Sequence, residues 1–307
     1  MTICEQITEL FPVRKTAAQK KAFRQWLMAE ITAMGYPVQV EQNDKGKHQN
    51  VVVGDPEHAE VTFTAHYDTP STILLPDLQI PRNYPVYLLW QILLIGGMLL
   101  LSLAVGLGVG LATQNGDVMI LGFFGAFLVL MWLQLDGFSN RSNVNDNTSG
   151  VAALLETMAL IPEEKRDKAA FIFFDNMEKG RRGSKAYARD HLEMQHTRFI
   201  VNADSVGVGD TFVVCAPSLA VQLPQYVALE KLLAADQAHR VRFHSSVTTR
   251  VNSDFRSFKC GVGIGAYKQA AGIGLYLGDL HTARDDEADQ DNIVCLARTF
   301  SALAEQL

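Results

Sequence analysis

The stretch AAFIFFDNMEKGRRGSKAYARDHLEMQHTRFIVNAD, residues 169–204, decides the fold class of this 307-residue chain. Its opening AAFIFFD predicts a buried strand, GSKAYARDHL predicts a helix, and RFIVNAD predicts a second buried strand. Continuous apolar strands separated by helices are typical of a sheet that is covered on both faces. The stretch therefore predicts an α/β fold with a mixed, mostly parallel sheet between two layers of helices.

The segments on either side of this stretch fit the same fold class. Residues 17–34 predict an amphipathic helix, and the strand-like runs VEQ, NVVVG and VTFTAH follow it. VAALLETMALI at 151–161 predicts a further helix, and DNIVCLARTFSALAEQL predicts a final helix that packs on the sheet. We expect one domain built from residues 1–84 and 137–307, interrupted by an insertion at 85–136.

Composition narrows the classes of function. Hydrophobic residues make up 48% of the chain, which is ample for a sizeable core, and disorder is not expected. The net charge of -6 gives no basic field for a phosphate backbone, so we expect no nucleic-acid partner. The four cysteines form no C-x-x-C pair, which argues against a thiolate zinc site and against a disulfide-stapled scaffold.

The insertion consists of two apolar segments, residues 86–112 and 118–135, which carry no charge. Their polar interruptions are Gln91, Ser102 and Gln134. Because a bilayer core needs about 20 apolar residues, each segment predicts a membrane-spanning helix, and together they predict a transmembrane hairpin. Gly106 and Gly110 offer a small-residue face for close helix contact, which also permits a homo-oligomer through the hairpin. The alternative is a buried helical hairpin in a soluble oligomer.

The charges beside the hairpin predict its orientation. Arg82 and Arg141 flank its base, whereas the tip holds Asp117 and no basic residue. Positive charge favours the cytoplasmic side, and the N-terminus lacks the apolar run of a signal peptide. We therefore expect an integral membrane protein whose globular domain faces the cytoplasm.

Five acid and imidazole side chains stand in an order that suits a metal site: His66, Asp146, Glu178, Asp204 and His281. Four of them follow strand-like runs, and the carboxyl ends of strands in an open α/β sheet gather at one edge. Carboxylate oxygens mixed with imidazole nitrogens suit zinc, and one shared carboxylate can hold two ions close together. The order therefore predicts a two-metal hydrolase site.

The motifs around these residues carry a resemblance to a known family. They are TAHYDTP, NVNDNTSGVAALLE, FIFFDNMEKGRRGSKAY, NADSVG, NSDFRSF and LHTARDDEAD. In this order they resemble the co-catalytic zinc aminopeptidases, family twenty-eight of the metallopeptidases in clan MH. Relatives in the same superfamily include glutaminyl cyclases and the transferrin receptor ectodomain, so the fold does not guarantee the chemistry.

The resemblance implies an exopeptidase that hydrolyses N-terminal peptide bonds with water activated by two zinc ions. It implies that Asp146 bridges the ions, that His66, Glu178, Asp204 and His281 are terminal ligands, and that Asp68 is a catalytic residue that orients His66. The insertion lies between His66 and Asp146, so we expect the active-site mouth close to the bilayer and peptides held at the membrane as substrates.

The chain departs from the family at the general base, where two adjacent glutamates are replaced by Met177 and Glu178. A thioether cannot accept a proton from water at neutral pH, and a positioned base contributes about 10² to 10⁴ in rate. Three explanations stay open. The protein is a non-catalytic metal-binding membrane scaffold, another carboxylate such as Asp175 replaces the base, or the chain is an inactivated form of the enzyme. Asp175 would face the same side as Met177 if the strand continued that far.

Overall fold

The computed structural model describes residues 1–76 and 78–307. Within these ranges one nine-stranded sheet forms the centre of the domain. Its strands are β1 Val38–Asn43, β2 His48–Val53, β3 Val61–His66, β4 Ala169–Phe174, β5 Ile200–Ala203, β6 Thr211–Ala216, β7 Arg240–Ser245, β8 Gly261–Ala270 and β9 Gly274–Tyr276.

The sheet has the order β1-β2-β4-β3-β5-β8-β6-β7, with β9 paired to β8. Its central strands β4, β3, β5 and β8 are parallel to one another, and β6 is parallel to β7. The remaining neighbours are antiparallel. The mixed, mostly parallel sheet predicted from the sequence is thus confirmed, and β3 and β5 lie side by side at its middle.

Ten α-helices surround the sheet or extend from it within the described residues. They are α1 Ile3–Leu10, α2 Ala17–Ala33, α3 Tyr84–Thr113, α4 Gly116–Asp136, α5 Ser149–Leu160, α6 Arg182–Asp190, α7 Leu192–His196, α8 Ser218–Val221, α9 Pro224–Ala235 and α10 Gln290–Gln306. Helices α1 and α2 each begin with a capping box, in which Thr2 and Thr16 satisfy free backbone N–H groups.

Strand β4 shows why its sequence is apolar throughout. Phe171 and Phe173 pack into the larger core with α2, α5 and α10, whereas Ile172 and Phe174 pack into a second core with α6 and α7. Side chains alternate between the faces of a strand, so a strand covered on both faces must be apolar at every position. The helices therefore lie on both faces of the sheet, as the sequence predicts.

The two apolar segments form α3 and α4, which pack against each other as a hairpin. A Cβ at Gly106 would lie 2.9 Å from the Met119 carbonyl oxygen, and one at Gly110 would lie 2.6 Å from the Met119 Cβ. These two glycines therefore permit the close approach of α3 and α4. Since their contact is within the hairpin, this face already has a partner.

The hairpin exposes apolar side chains along most of its length. Only 22% of the most apolar window of α3 and 6% of that of α4 are buried inside the protein. Both helices are long enough to cross a bilayer, and their mean hydropathies are 2.5 and 2.3. Such low burial differs from that of a core helix in a soluble protein.

Polar contacts fix the base of the hairpin to the globular domain. The Asn83 side chain donates to the carbonyl oxygens of Gly272 and Ile273 at 3.0 and 3.1 Å. At the other end Gln134 exchanges two hydrogen bonds with the backbone of Leu75, at 3.0 and 2.9 Å. Lys15 pairs with Asp136 at 3.0 Å. Contacts at the start of α3 and the end of α4 thus hold the hairpin in one position on the domain.

Candidate metal centre

The sheet brings all five predicted ligands to one edge. His66 is the last residue of β3, Asp204 directly follows β5, and Glu178 lies in the turn after β4. These three strands are parallel neighbours, so their carboxyl ends meet at the same edge. Asp146 lies in the turn before α5, and His281 follows β9.

The five side chains form two groups that share Asp146. In the first group the His66 Nε2 atom lies 3.3 Å from Asp146 Oδ1 and 3.7 Å from Asp204 Oδ1. In the second group the His281 Nε2 atom lies 2.9 Å from Asp146 Oδ2 and 3.6 Å from Glu178 Oε2. Asp146 thus directs one carboxylate oxygen toward each group, which is the arrangement of a carboxylate that bridges two ions.

Three atoms of this cluster are buried without a hydrogen-bond partner among the described residues: His66 Nε2, Asp146 Oδ1 and Glu178 Oε1. Burying a polar atom without a partner is costly, and burying a charge without compensation costs more. Carboxylate and imidazole donors are ligands that zinc accepts. The unpartnered atoms and the donor set therefore fit bound zinc.

Burial and neighbouring charges shift the pKa values of the side chains in this cluster. Burial raises the pKa of Glu178 to about 8, and the Asp146 carboxylate adds to the rise. Burial alone would lower the pKa of His281, but Glu178 and Asp146 raise it to about 10. Burial likewise opposes protonation of His66, yet the nearby carboxylates of Asp146, Asp204 and Asp68 raise its pKa well above the usual value. The two imidazoles therefore hold protons that a metal cation would displace.

Asp68 acts on both sides of the cluster. Its carboxylate accepts the backbone N–H groups of Met177 at 2.9 Å and Glu178 at 3.2 Å. The His66 Nδ1 atom lies 3.2 Å from the Asp68 carbonyl oxygen and 3.6 Å from its carboxylate. Asp68 therefore holds the turn that carries Glu178, and its backbone is nearer to His66 than its carboxylate is.

Asp285 positions the shared carboxylate, a role that the sequence did not reveal. Its two carboxylate oxygens accept the backbone N–H groups of Asn145 and Asp146 at 2.9 and 3.1 Å. Burial, reinforced by Asp146, raises the pKa of Asp285 to about 7. The acidic run RDDEAD after His281 was the available signal. The peptide bond between Asp146 and Asn147 is cis.

The structure separates Met177 from the proposed substitute base Asp175. Strand β4 ends at Phe174, and Asn176 has a left-handed backbone with φ of 56°, so the alternation along the strand does not continue to residue 177. Asp175 accepts a hydrogen bond from Lys20 at 2.6 Å and one from the Gln49 backbone at 3.1 Å. The strand does not continue to Met177, so the condition under which Asp175 would face the same side as Met177 is not met.

Two cavities meet at the cluster, and Glu178 and His281 line both. The hairpin cavity, about 370 Å³, extends from these residues to the base of α3 and α4. The polar cavity, about 400 Å³, contains Asp146, Asp204 and Met177 and also the side chains Tyr87, Arg250, Asn252 and Tyr267. Sequence reasoning did not assign Arg250 to the site, because its approach depends on contacts distant along the chain.

A further group of side chains that could bind a metal ion lies elsewhere in the domain: Asp236, His239 and Cys295. His239 Nδ1 lies 2.6 Å from the Asp236 carboxylate, and the Cys295 thiol donates to the same carboxylate at 3.1 Å. Its members line neither cavity of the main cluster, so it serves as an independent reference for metal-binding experiments.

Comparison with known proteins places this site in a family. The sequence profile of peptidase family M28 matches residues 134–303. The structure of glutaminyl cyclase from Porphyromonas gingivalis aligns with this chain with a TM-score of 0.61 at 15% sequence identity. The alignment covers 99% of this chain and 96% of that one. No curated protein matches the chain at a significant level.

Two solved aminopeptidase structures are also similar. The LapA aminopeptidase of Legionella pneumophila has a TM-score of 0.60 at 13% identity, covering 99% of this chain and 68% of that one. A leucine aminopeptidase precursor from Bacteroides thetaiotaomicron aligns with a TM-score of 0.58 at 16% sequence identity. The alignment covers 98% of this chain and 93% of that one. At these identities the structural likeness establishes the shared fold.

Proposed function

Because this chain belongs to peptidase family M28, we propose that it is a zinc-dependent aminopeptidase anchored in the membrane by α3 and α4. The observation that carries the proposal is the shared Asp146 carboxylate, which directs one oxygen toward each of two ligand groups. The unpartnered atoms within these groups support bound ions at this cluster. The substrate is a peptide with a free N-terminus.

In this proposal Asp146 would bridge two zinc ions, His66 and Asp204 would complete one site, and Glu178 and His281 would complete the other. Bound zinc supplies Lewis acidity for the peptide carbonyl and lowers the pKa of water. Asp68 fixes the Glu178 turn through two backbone N–H groups. Ser253 donates to Asp204 at 2.5 Å and fixes that carboxylate.

Other side chains of the polar cavity position the peptide. Burial raises the pKa of Tyr267, so its phenol stays protonated and can donate a hydrogen bond to a developing oxyanion. Arg250 stacks on Tyr87 with 3.4 Å between its guanidinium carbon and the ring centroid. A cation held there supplies donors for the carbonyl oxygens of the peptide.

Met177 favours a second candidate function, a metal-binding membrane scaffold without turnover. Its side chain lines the polar cavity beside Glu178, and it cannot take a proton from water. In that case the metal pair stabilises the fold, since metal binding contributes folding free energy. An inactivated enzyme would have the same cluster, so turnover, not zinc content, distinguishes these functions.

The test compares the chain as it stands with Met177→Glu. Both proteins are purified in detergent, loaded with zinc, analysed for metal content and assayed with aminoacyl-nitroanilides. We expect two zinc ions in each and a turnover about 10² to 10⁴ higher in Met177→Glu, because a carboxylate at this position can accept the proton. Met177→Gln, of similar size but not basic, is the matched control.

Each outcome has a distinct meaning. Activity in both proteins supports an enzyme that works without the usual base, and activity in Met177→Glu alone supports an inactivated enzyme. Two bound zinc ions without hydrolysis of any substrate in either protein would reject the peptidase proposal and favour the scaffold.

The membrane arrangement is a further part of this proposal. The exposed apolar surface of α3 and α4 supports insertion, and the flanking Arg82 and Arg141 favour a cytoplasmic globular domain. A homo-oligomer through the hairpin needs a face other than Gly106 and Gly110, because these glycines contact α4. Gly96 and Gly97 have open space beside them and offer such a face.

A further inference from the structure

The hairpin lines part of the candidate site, in addition to exposing an apolar surface. The hairpin cavity is lined by Asp68, Glu178 and His281, by Lys15 and Lys179, and by the base of α3 and α4. A group bound at the metal ligands therefore has the hairpin as its neighbour.

The helix residues that face this cavity follow helical spacing. On α3 they are Gln91, Leu94, Ile95 and Met98, and on α4 they are Met131, Gln134 and Leu135. Spacings of three and four residues place side chains on one face of a helix, so each helix presents a single face to the cavity. Both glutamines that interrupt the apolar segments lie on these faces, whereas Leu100 points away and is 69% exposed.

The cavity is preformed, because the contacts that hold the hairpin surround it. Gln134 is fixed to the backbone of Leu75, and the Trp90 indole donates to the Pro76 carbonyl oxygen at 3.1 Å. Met98, on the cavity face, is 2% exposed. A site whose walls are held in this way binds without an ordering cost.

We propose that the hairpin cavity binds the apolar side chain of the N-terminal residue of the substrate, so that the base of the membrane hairpin selects peptides beginning with a large apolar residue. This inference rests on the proposed aminopeptidase function. The remainder of the peptide extends into the polar cavity, where Arg250 and Asn252 meet its backbone.

Two features favour a side chain over a lipid. The cavity is near the lower end of the roughly 300 to 1,000 Å³ range of small-ligand sites, which suits one side chain rather than a two-chain lipid. It also ends at the candidate metal ligands, where an aminopeptidase must hold the carbonyl of the first residue. The side chain of that residue can then enter the hairpin cavity, which Ile95 and Met98 line.

The experiment measures binding and turnover in the zinc-loaded full-length chain in phospholipid nanodiscs. Calorimetry compares L-leucinamide with L-alaninamide, and the corresponding nitroanilides are assayed for turnover. We expect leucinamide to bind about 10-fold or more tightly than alaninamide, because an apolar pocket discriminates by about 10- to 200-fold for small differences in side chain.

Met98→Trp narrows the cavity and should remove most of this preference, and Met98→Ala should shift it toward larger side chains such as phenylalanine. Leu100→Trp, on the opposite face of α3, should leave the preference unchanged. Equal binding of leucinamide and alaninamide, or a preference that is the same in Met98→Trp and Leu100→Trp, would overturn the pocket. So would leucinamide binding that is abolished by added phospholipid.

The binding measurement keeps the two proposals separate. A leucine preference that depends on Met98 without turnover in any variant would reject the aminopeptidase but retain the pocket. Turnover without a preference that depends on Met98 would retain the aminopeptidase and reject the pocket.

Discussion

The ligand cluster buries charged groups, whereas the hairpin exposes apolar ones. In the cluster, His66 and Asp146 are 0% and 3% exposed and contain atoms without partners. In the hairpin, Leu100 and Leu121 are 69% and 71% exposed. Soluble domains avoid both arrangements, since buried charge and extended apolar surface are each unfavourable in water.

The difference indicates what each region requires from outside the chain. In the proposed function, cations would compensate the buried carboxylates, and lipid would cover the apolar helices. The two regions lie next to each other, because the hairpin cavity is lined by residues of both. Their requirements nevertheless differ in chemistry, since one region needs cations and the other needs an apolar environment. Disturbing one region should therefore leave the chemical requirement of the other intact.

The largest effect is expected from Asp146→Asn. The neutral amide cannot bridge two ions, so we expect fewer than two zinc ions per chain and a fall in turnover on the order of 10³-fold or more, measured in the most active form of the protein. Metal analysis and nitroanilide assays check this, and membrane partition should stay unchanged. Asp210→Asn, at an exposed carboxylate, is the control. Two bound zinc ions in Asp146→Asn would contradict the bridging role.

Removing the hairpin should give the opposite pattern. When residues 85–136 are replaced by a short Gly/Ser linker, we expect the chain to leave the membrane fraction while retaining both zinc ions. Turnover of a peptide tethered to lipid should fall on the order of 10²-fold, because the advantage of shared localisation is lost. Sedimentation, metal analysis and turnover measure these changes. Unchanged turnover of every peptide would contradict the role of the membrane in substrate choice.

The smallest effect is expected from pH. The raised pKa values of His66 and His281 mean that both imidazoles are protonated at neutral pH in the metal-free protein. Zinc must displace these protons, so its affinity should rise with pH, by about tenfold per pH unit for each proton released. Calorimetry in buffers of different ionisation enthalpy measures the release. A binding heat independent of the buffer would show that no proton is displaced.

The sequence predicted the fold and the grouping of the five candidate ligands, and their metal-binding roles stay predictions. Both successes depend on local patterns, since apolar strands end at His66 and Asp204 and parallel order then brings these ends together. The family resemblance is confirmed by the profile match over residues 134–303.

What the sequence did not reveal depends on turns and on distant contacts. The proposed role of Asp175 assumed that β4 continues, but the left-handed Asn176 turns the chain. Asp285, Arg250 and the face of α3 that includes Met98 reach the site from segments far away along the chain. The start of α3 also differs from the prediction: the helix begins at Tyr84, capped by Asn83, and not at Val86.

The hydrogen bonds of Asp68 bear on how this chain can evolve. Asp68 holds residue 177 by its backbone N–H, which every residue except proline provides, and holds Glu178 in the same way. The side chain at 177 is therefore free to vary while the neighbouring candidate ligand Glu178 stays in place. A single codon change at this position can remove or restore a proton acceptor without disturbing metal retention, so the two properties are open to separate selection.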